Sequence, residues 1–542
     1  MKALLLILFL IPSLILAQGW QWANQIGTLS NEGYVDGHII TDGENSYLIG
    51  DFKGSLMLKT DTFASYGYDD LFVIKYDQDG NELWAKRFGG YNDEWEYEIV
   101  KGVYDTNCNC IYLAGMFYGI MHLSPSISII GNSFEHLFLA KIELDGTFLW
   151  GRLVDSSNVL FPTVSYYNYI FVRPGGGIII AGSAVDTTYI DTIKINPGGF
   201  LALFDDDGNC KWAVNKFSGP ENHKISISFI DTDILMGGLF EQNPSTIDTS
   251  TLILSGEKDG YVARMDSSGN VKWIKKIGGP GNDGILEITT DNLNNIYLTG
   301  YFSDSINIDG TVLNNPVMDV LIAKLDENGN LIWARQASVN SNNGGYADDI
   351  LSDDNGNCYI TGTFSGSASF GNYNVTSTGT SDMFLARYNN NGICMGINHF
   401  GSANGVNMAV DDDGNTICAG IFSGTVNIGN ITLNSIGLYD VYIAKSDSIS
   451  GVHENGNKSG DVLVIYANPT TGTCNIVIPE DFQYENNLTL SIYDDHGKLV
   501  QQFSVIISND EFRFEIDAEA KGFYNIVLRG RSKQYYGKLI FE

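Results

Sequence analysis

Positive charge is scarce in this chain: 31 Lys and Arg stand against 64 Asp and Glu over 542 residues, a formal net charge of −33. That deficit excludes a partner whose phosphate backbone is held by basic patches, and so excludes nucleic acid. Long apolar runs are also missing after residue 17, where no stretch reaches the roughly 18 apolar residues of a spanning helix, so no transmembrane segment is expected in the mature chain. Cysteine is sparse and odd in number. Cys108, Cys110, Cys210, Cys358, Cys394, Cys418 and Cys474 have no metal-finger spacing and make an unpromising disulfide framework. Cys108 and Cys110 read as alternating strand positions, which rarely bridge, so all seven are read as structural. The seven histidines show neither paired metal spacing nor a companion nucleophile motif, and no catalytic constellation emerges.

What is present begins with an address. Met1 and Lys2, followed by the apolar run from Ala3 to Ala17, read as a secretory signal peptide cleaved after Ala17, which leaves a mature charge of −34. Three short motifs then recur seven times. The first holds Trp22, Trp84, Trp150, Trp212, Trp273 and Trp333, with Gly396 in the seventh place, at steps of 62, 66, 62, 61, 60 and 63 residues. The second is an aromatic or aliphatic residue three positions before Gly50, Gly115, Gly182, Gly238, Gly300, Gly362 and Gly420. The third is an apolar run that usually ends in a cation, at Lys75, Lys141, Arg264, Lys324, Arg387 and Lys445, with FLALF near Phe204 filling the remaining place.

These runs are rich in Val, Ile, Tyr and Phe and are bounded by Asp, Asn and Gly, which is strand chemistry. Strands with little polar alternation need cover on both faces, and a radial stack of twisted four-stranded sheets supplies it. In one unit the strands are expected at Ile285 to Thr290, Ile296 to Phe302, Val320 to Lys324 and Leu331 to Ala337, with an extra hairpin from Ser305 to Val312. The first element, Gly19 to Gly27, is a lone tryptophan strand and the last, Asp440 to Lys445, a lone apolar strand. Pairing the two would remove two exposed edges, so a seven-bladed β-propeller closed by the N-terminal strand is expected. The repeat resembles the β-propeller repeat family of secreted bacterial proteins, through units such as DGNELWAKRFGGYND and NNIYLTGYF, over about residues 18 to 446.

Residues 447 to 461 carry almost no apolar side chains and read as a linker. From Val462 to Glu542 about seven short strands follow, which suggests a small Ig-like β-sandwich. This segment resembles the type A C-terminal sorting domain of type IX secretion cargo, in Asn468, Pro469, Thr470, Thr471 and Gly472, then Gly497, then Gly522, Phe523 and Tyr524, and Lys538 in the last strand. Pro469 and Gly472 suit a tight turn with positive φ at the glycine. The resemblance implies passage through the periplasm, recognition by the type IX secretion machinery, and delivery to the surface or surroundings of a Gram-negative bacterium.

Asp77 to Gly80, Asp205 to Gly208, Asp266 to Gly269 and Asp326 to Gly329 share one spacing, usually followed by Asn. Such oxygens suit Ca2+, but the bidentate Glu of an EF-hand loop is missing, so they read as hairpin turns and no cofactor is assigned. The motif tryptophans read as packing between sheets, whereas Trp20 and Trp95 lie off the motif and are candidates for exposed contacts. Asp93, Asp283, Asp348 and Asp349 read as carboxylates in the loops that enter the inner strands. They are expected at the channel mouth, either as a solvated acidic rim or as paired acids able to bind a cation or cleave a glycosidic bond. The reading is an exported binding module for glycans or proteins, not an enzyme; the alternative is a polysaccharide-degrading enzyme with carboxylates at the channel mouth.

Overall fold

The computed structural model describes residues 19–28, 35–59, 61–90, 99–155, 169–184, 187–216, 225–241, 245–248, 250–341, 343–353, 355–401, 403–404, 407–446, 463, 465–466, 472–479, 482, 488–493, 499–505, 511–516, 522–529 and 534–541. The fold is all-β, and no helix among these residues is long and apolar enough to cross a membrane. Contacts separate Ala17–Ser450 from a second unit that contains Gly451–Glu542.

Within the first unit the plan is set by one sheet, in which Gly284–Thr290, Ile296–Ile308, Thr311–Leu325 and Leu331–Gln336 pair antiparallel in chain order. Its second and third strands run on into the expected extra hairpin, which turns at Asp309 and Gly310, both at positive φ. Four other sheets repeat the order, beginning with Ile99–Asp105, Tyr169–Val172, Ile225–Ile230 and Gly345–Ser352. The third strands carry the continuous apolar runs, and these runs are buried, over 319–325 in Thr311–Leu325 and throughout Asp440–Ser446.

Closure uses both chain ends of the repeat region. Trp20–Thr28 pairs antiparallel with Asp440–Ser446, from Trp22 opposite Lys445 to Ile26 opposite Val441, and so completes the sheet begun by Asn407–Val410 and Thr416–Phe422. The first strand of each sheet packs on that of the next, from Val35–Thr41 through Ile99–Asp105, Tyr169–Val172, Ile225–Ile230, Gly284–Thr290, Gly345–Ser352 and Asn407–Val410, and back to Val35–Thr41. This closed radial circuit makes the unit a β-propeller.

The tryptophans fasten neighbouring sheets. Trp84 donates its indole N–H to the Leu144 carbonyl at 3.1 Å, in the turn between the third and fourth strands of the next sheet, and Lys75 reaches the same oxygen at 3.3 Å. Trp333 makes the equivalent bond to Asn390 at 2.9 Å. Trp22 and Lys445 both reach Gln78, at 2.8 and 3.4 Å, so the closing sheet is fastened in the same way. Each receiving turn ends in a glycine under the indole: a Cβ on Gly80 would lie 2.5 Å from Trp22, and one on Gly392 2.6 Å from Trp333. Gly396, which stands in the tryptophan position, precedes the one sheet whose third and fourth strands have no connecting turn, because that fourth strand comes from the N-terminus. No turn exists there to receive an indole.

The second unit has a sheet of Ile465–Tyr466, Thr473–Val477 and Glu511–Glu515, and another of Leu499–Val505, Leu488–Tyr493, Gly522–Arg529 and Gln534–Phe541. One apolar cluster draws on both, with Cys474, Ile476 and Phe514 from the first and Leu490, Ile526 and Leu539 from the second. The seven sequence segments correspond to these strands.

Two expectations need correction. Cys108 and Cys110 form a disulfide, because Cys108 lies not on a strand but in the turn before Cys110–Ser124, where Asn109 takes a φ of 52° and brings the two sulfurs to one side. Trp20 is half-buried, edge-to-face on Phe400 at 5.4 Å, and does not offer a free aromatic face. Trp95 lies outside the described residues.

Two glycine substitutions separate the packing of the indole from backbone strain. Gly414→Ala, at φ 77° with open space around it, should cost only the left-handed penalty of about 1–2 kcal/mol. Gly392→Ala must also displace Trp333 and should cost about 1–3 kcal/mol more. Denaturant unfolding of the two variants checks the difference.

Candidate functional site

The inner strands are the natural place for a site, and their polar side chains are tied to one another across sheet boundaries. Asp349 sits at a bulge in Gly345–Ser352 and accepts hydrogen bonds from Asn407 Nδ2 at 2.9 Å and from the Met408 amide at 2.8 Å on the next inner strand. Asn407 in turn accepts from the Ile39 amide at 2.7 Å, which carries the chain of bonds through the closing sheet into the first. Ser226 bonds Glu287 and accepts from the Ile288 amide at 3.0 Å, and Ser352 donates to the Thr290 carbonyl at 2.8 Å. His38, against the Gly102 carbonyl at 3.2 Å, is driven down to about 3 by burial and by nearby Lys101, against the pull of that carbonyl, so the ring is neutral at physiological pH.

The four acids expected at the channel mouth are not equivalent. Asp283 is fully buried; it accepts from the Gly279 amide at 2.6 Å and the Ser303 amide at 3.2 Å, and thereby folds the loop that leads into Gly284–Thr290. Burial pushes its carboxyl up to about 6, with the two amides opposing. Asp349 is also buried, and it accepts from the Ile350 and Met408 amides and from Asn407. Asp348 beside it is half-exposed, and Asp93 lies outside the described residues. The solvated rim is therefore corrected for Asp283 and Asp349, because both close loops or strands and are withdrawn from water.

The Asp-Gly turns carry the hairpin geometry. Asp77 Oδ1 accepts from the Asp79 and Asn81 amides at 3.0 and 2.7 Å, and Asn81 donates its side-chain amide to Oδ2 at 3.0 Å. Asp205, Asp266 and Asp326 repeat these contacts. Burial opposes ionisation at Asp77 and Asp326, but the Asn amides prevail and hold both carboxyls below the usual range. Their oxygens are already engaged by the turn.

A further constellation escaped the sequence reading. Asp70, Asp259, Asp319, Asp382 and Asp440 are fully buried where the apolar run of the third strand begins. Asp70, Asp259, Asp382 and Asp440 accept the amide four residues earlier, from Tyr66, Ser255, Thr378 and Ile436 at 2.6–3.0 Å. The residue three positions after the tryptophan place supplies a partner: Arg87, Lys276, Gln336, His399 and Gln25. Desolvation raises Asp70 to about 7, with the Tyr66 amide and Arg87 opposing. The recurring Asp one or two residues before five of the seven apolar runs was the signal available in the sequence.

Of the sorting-domain residues, Tyr524 is buried, and Gly522 and Phe523 share its strand, with Lys538 on the last one. Gly472 takes the positive φ expected of it, at 158°, near the extended limit. Asn468, Pro469, Thr470, Thr471 and Gly497 lie outside the described residues.

Residues 464–542 match the family of secretion system C-terminal sorting domains, which marks the chain as a secreted or cell-surface bacterial protein handled by the type IX machinery. Over 376 residues, 61% of the chain, it is 24% identical to an uncharacterized WD repeat-containing protein of Acanthamoeba polyphaga mimivirus, and it spans 23% of that relative's length. Solved structures similar to it include the Dos1 propeller, at 11% identity over 78% of this chain and 95% of that one with a TM-score of 0.38. The GH43 protein BlXynB from Bacillus licheniformis, in a mutant form, is 8% identical over 77% of this chain and 96% of its own, with a TM-score of 0.27. The Trypanosoma rangeli sialidase in complex with the inhibitor DANA is 9% identical over 73% and 86%, with a TM-score of 0.22. Likenesses this slight transfer no activity.

The raised carboxyl of Asp283 gives a pH test. An unfolded aspartate titrates near 3.9, so the folded chain holds an extra proton between about pH 4 and about 6, and stability falls as pH rises through that window. Asp283→Asn keeps an acceptor and removes this slope. Melting temperatures of the two proteins across the window should converge on the acid side and separate as pH rises, with the variant the more stable.

Proposed function

We propose that residues 18–446 form an exported seven-bladed propeller that binds glycans or proteins at the cell surface or outside it. In this reading residues 1–17 direct the chain to the periplasm, 447–461 are a linker, and 462–542 hand the protein to type IX secretion. The observation that carries the binding reading is the engagement of the inner acids: Asp283 and Asp349 act as buried acceptors that hold loops and strands in place. A rigid ring with connecting loops at its ends is a scaffold for recognition. Apolar side chains available for contact include Ile436, Leu438 and Tyr439 in one outer loop of the closing sheet, at 44%, 54% and 49% exposure.

The second reading is a polysaccharide-degrading enzyme, which needs carboxyls that reach solvent, as half-exposed Asp348 does, and not the fully buried Asp283. Incubating the mature chain with a panel of immobilised polysaccharides, scored for retention and for new reducing ends, decides between them. Retention without products is the expected result for a glycan binder. New reducing ends would establish the enzyme, and neither signal would direct the binding reading to protein partners.

A further inference from the structure

The Cys108–Cys110 bond occupies a turn that its sister repeats build without sulfur. Asn45, Asn295 and Asn357 each lie two residues before a second-strand tyrosine, and each donates its backbone and side-chain amides to the aspartate that opens the turn. Cys110 holds that place before Tyr112, while Asp105 is bonded instead by Asn107, at 2.8 and 3.0 Å. The fold therefore does not require a cysteine at this position.

The two sulfurs differ in access. Cys108 is exposed and Cys110 is 2% exposed. Both line a surface cavity of about 430 Å3 together with Lys141, Glu143, Asp145 and Leu149. Of the other five cysteines, Cys358, Cys394, Cys418 and Cys474 are buried and Cys210 is half-buried. An accessible disulfide at the mouth of a cavity is a setting in which thiol–disulfide exchange is favoured, since exposed bonds are the labile ones. Of the charged side chains that line the cavity, Lys141 lies over Tyr112 at 5.0 Å and Glu143 stands opposite Cys110 on the neighbouring strand.

We propose that Cys108–Cys110 is a thiol–disulfide exchange site that oxidises thiols small enough, or on segments flexible enough, to enter this cavity. A substrate thiolate attacks the exposed Cys108 sulfur, the sulfur–sulfur bond breaks, and its electron pair goes to Cys110, which takes a proton from solvent. A second substrate thiolate attacks the substrate sulfur of the mixed disulfide and releases Cys108. Two thiols become one disulfide, and the protein disulfide becomes two thiols. Glu143, opposite Cys110, opposes a lasting thiolate there, so protonation completes the departure, while Leu149 gives the cavity an apolar wall.

The test treats the folded mature protein with reduced glutathione, followed by acid quenching, alkylation and peptide mass mapping, with circular dichroism recorded at each point. The expected result is a glutathione adduct on Cys108, then opening of the bond, with the fold retained and the five other cysteines unmodified. Glu143→Gln, which removes the negative charge opposite Cys110, should speed the opening several-fold. In Cys110→Ser, Cys108 should take up glutathione from its oxidised form, whereas in Cys108→Ser, Cys110 should not. A bond that stays closed until the protein unfolds would overturn the proposal and leave a structural staple. An adduct on Cys110, or two free thiols in the protein as isolated from an oxidising compartment, would overturn it equally.

Discussion

A tryptophan that crosses a sheet boundary onto the turn of the next sheet is the contact on which the rest of this propeller depends: Trp22, Trp84 and Trp333 donate their indole N–H to a turn carbonyl, and Trp273 packs over Gly329 with its buried Nε1 unpaired. It fixes two things at once, because the tryptophan belongs to the outermost strand of one sheet and the carbonyl to the turn leading into the outermost strand of the next. The third-strand cation adds a second donor to the same oxygen in the Lys75 and Lys445 sheets. Lys75, Lys141 and Lys324 also lie over Tyr47, Tyr112 and Tyr297 at 4.7–5.1 Å, so motif residues from three strands meet in one packed group. The motifs recur together because they are parts of one contact.

The same logic explains the single break in the tryptophan series. Gly396 stands where the following sheet has no chain connection between its third and fourth strands, and the closing strand Trp20–Thr28 brings Trp22 to fasten the next boundary instead. On the inside, side-chain hydrogen bonds from Asp349 and Asn407 continue across the closing sheet. Outer and inner contacts thus hold the ring from both radial ends, and they use acids that would otherwise be candidates for chemistry.

Much of this was legible in the sequence, for a physical reason. The repeat spacing, the strand chemistry of the apolar runs and the two half-sheets at the ends are properties of local composition and order, and the pairing of the N-terminal strand with Asp440–Ser446 follows from them. The partners of each side chain were not legible. Asp283 reads as an exposed loop acid, yet two amides far apart in sequence, from Gly279 and Ser303, turn it inward. Cys108 and Cys110 read as strand neighbours because the turn at Asn109 differs in length from its sisters by residues that look equally polar. The buried aspartates that open the third strands were visible as a pattern but resembled ordinary turn residues, since burial depends on the outer hairpin folding over them. In the C-terminal unit the strands were legible from alternation, and the positive φ of Gly472 from its residue type.

The most direct test of this account is deletion of Trp20–Thr28 with amide hydrogen exchange measured along the remaining chain. The account predicts that protection is lost in Asp440–Ser446 and in the Asp77–Asn81 turn, and that the propeller no longer unfolds in one cooperative step. Unchanged protection at both places, with an unaltered unfolding transition, would contradict it.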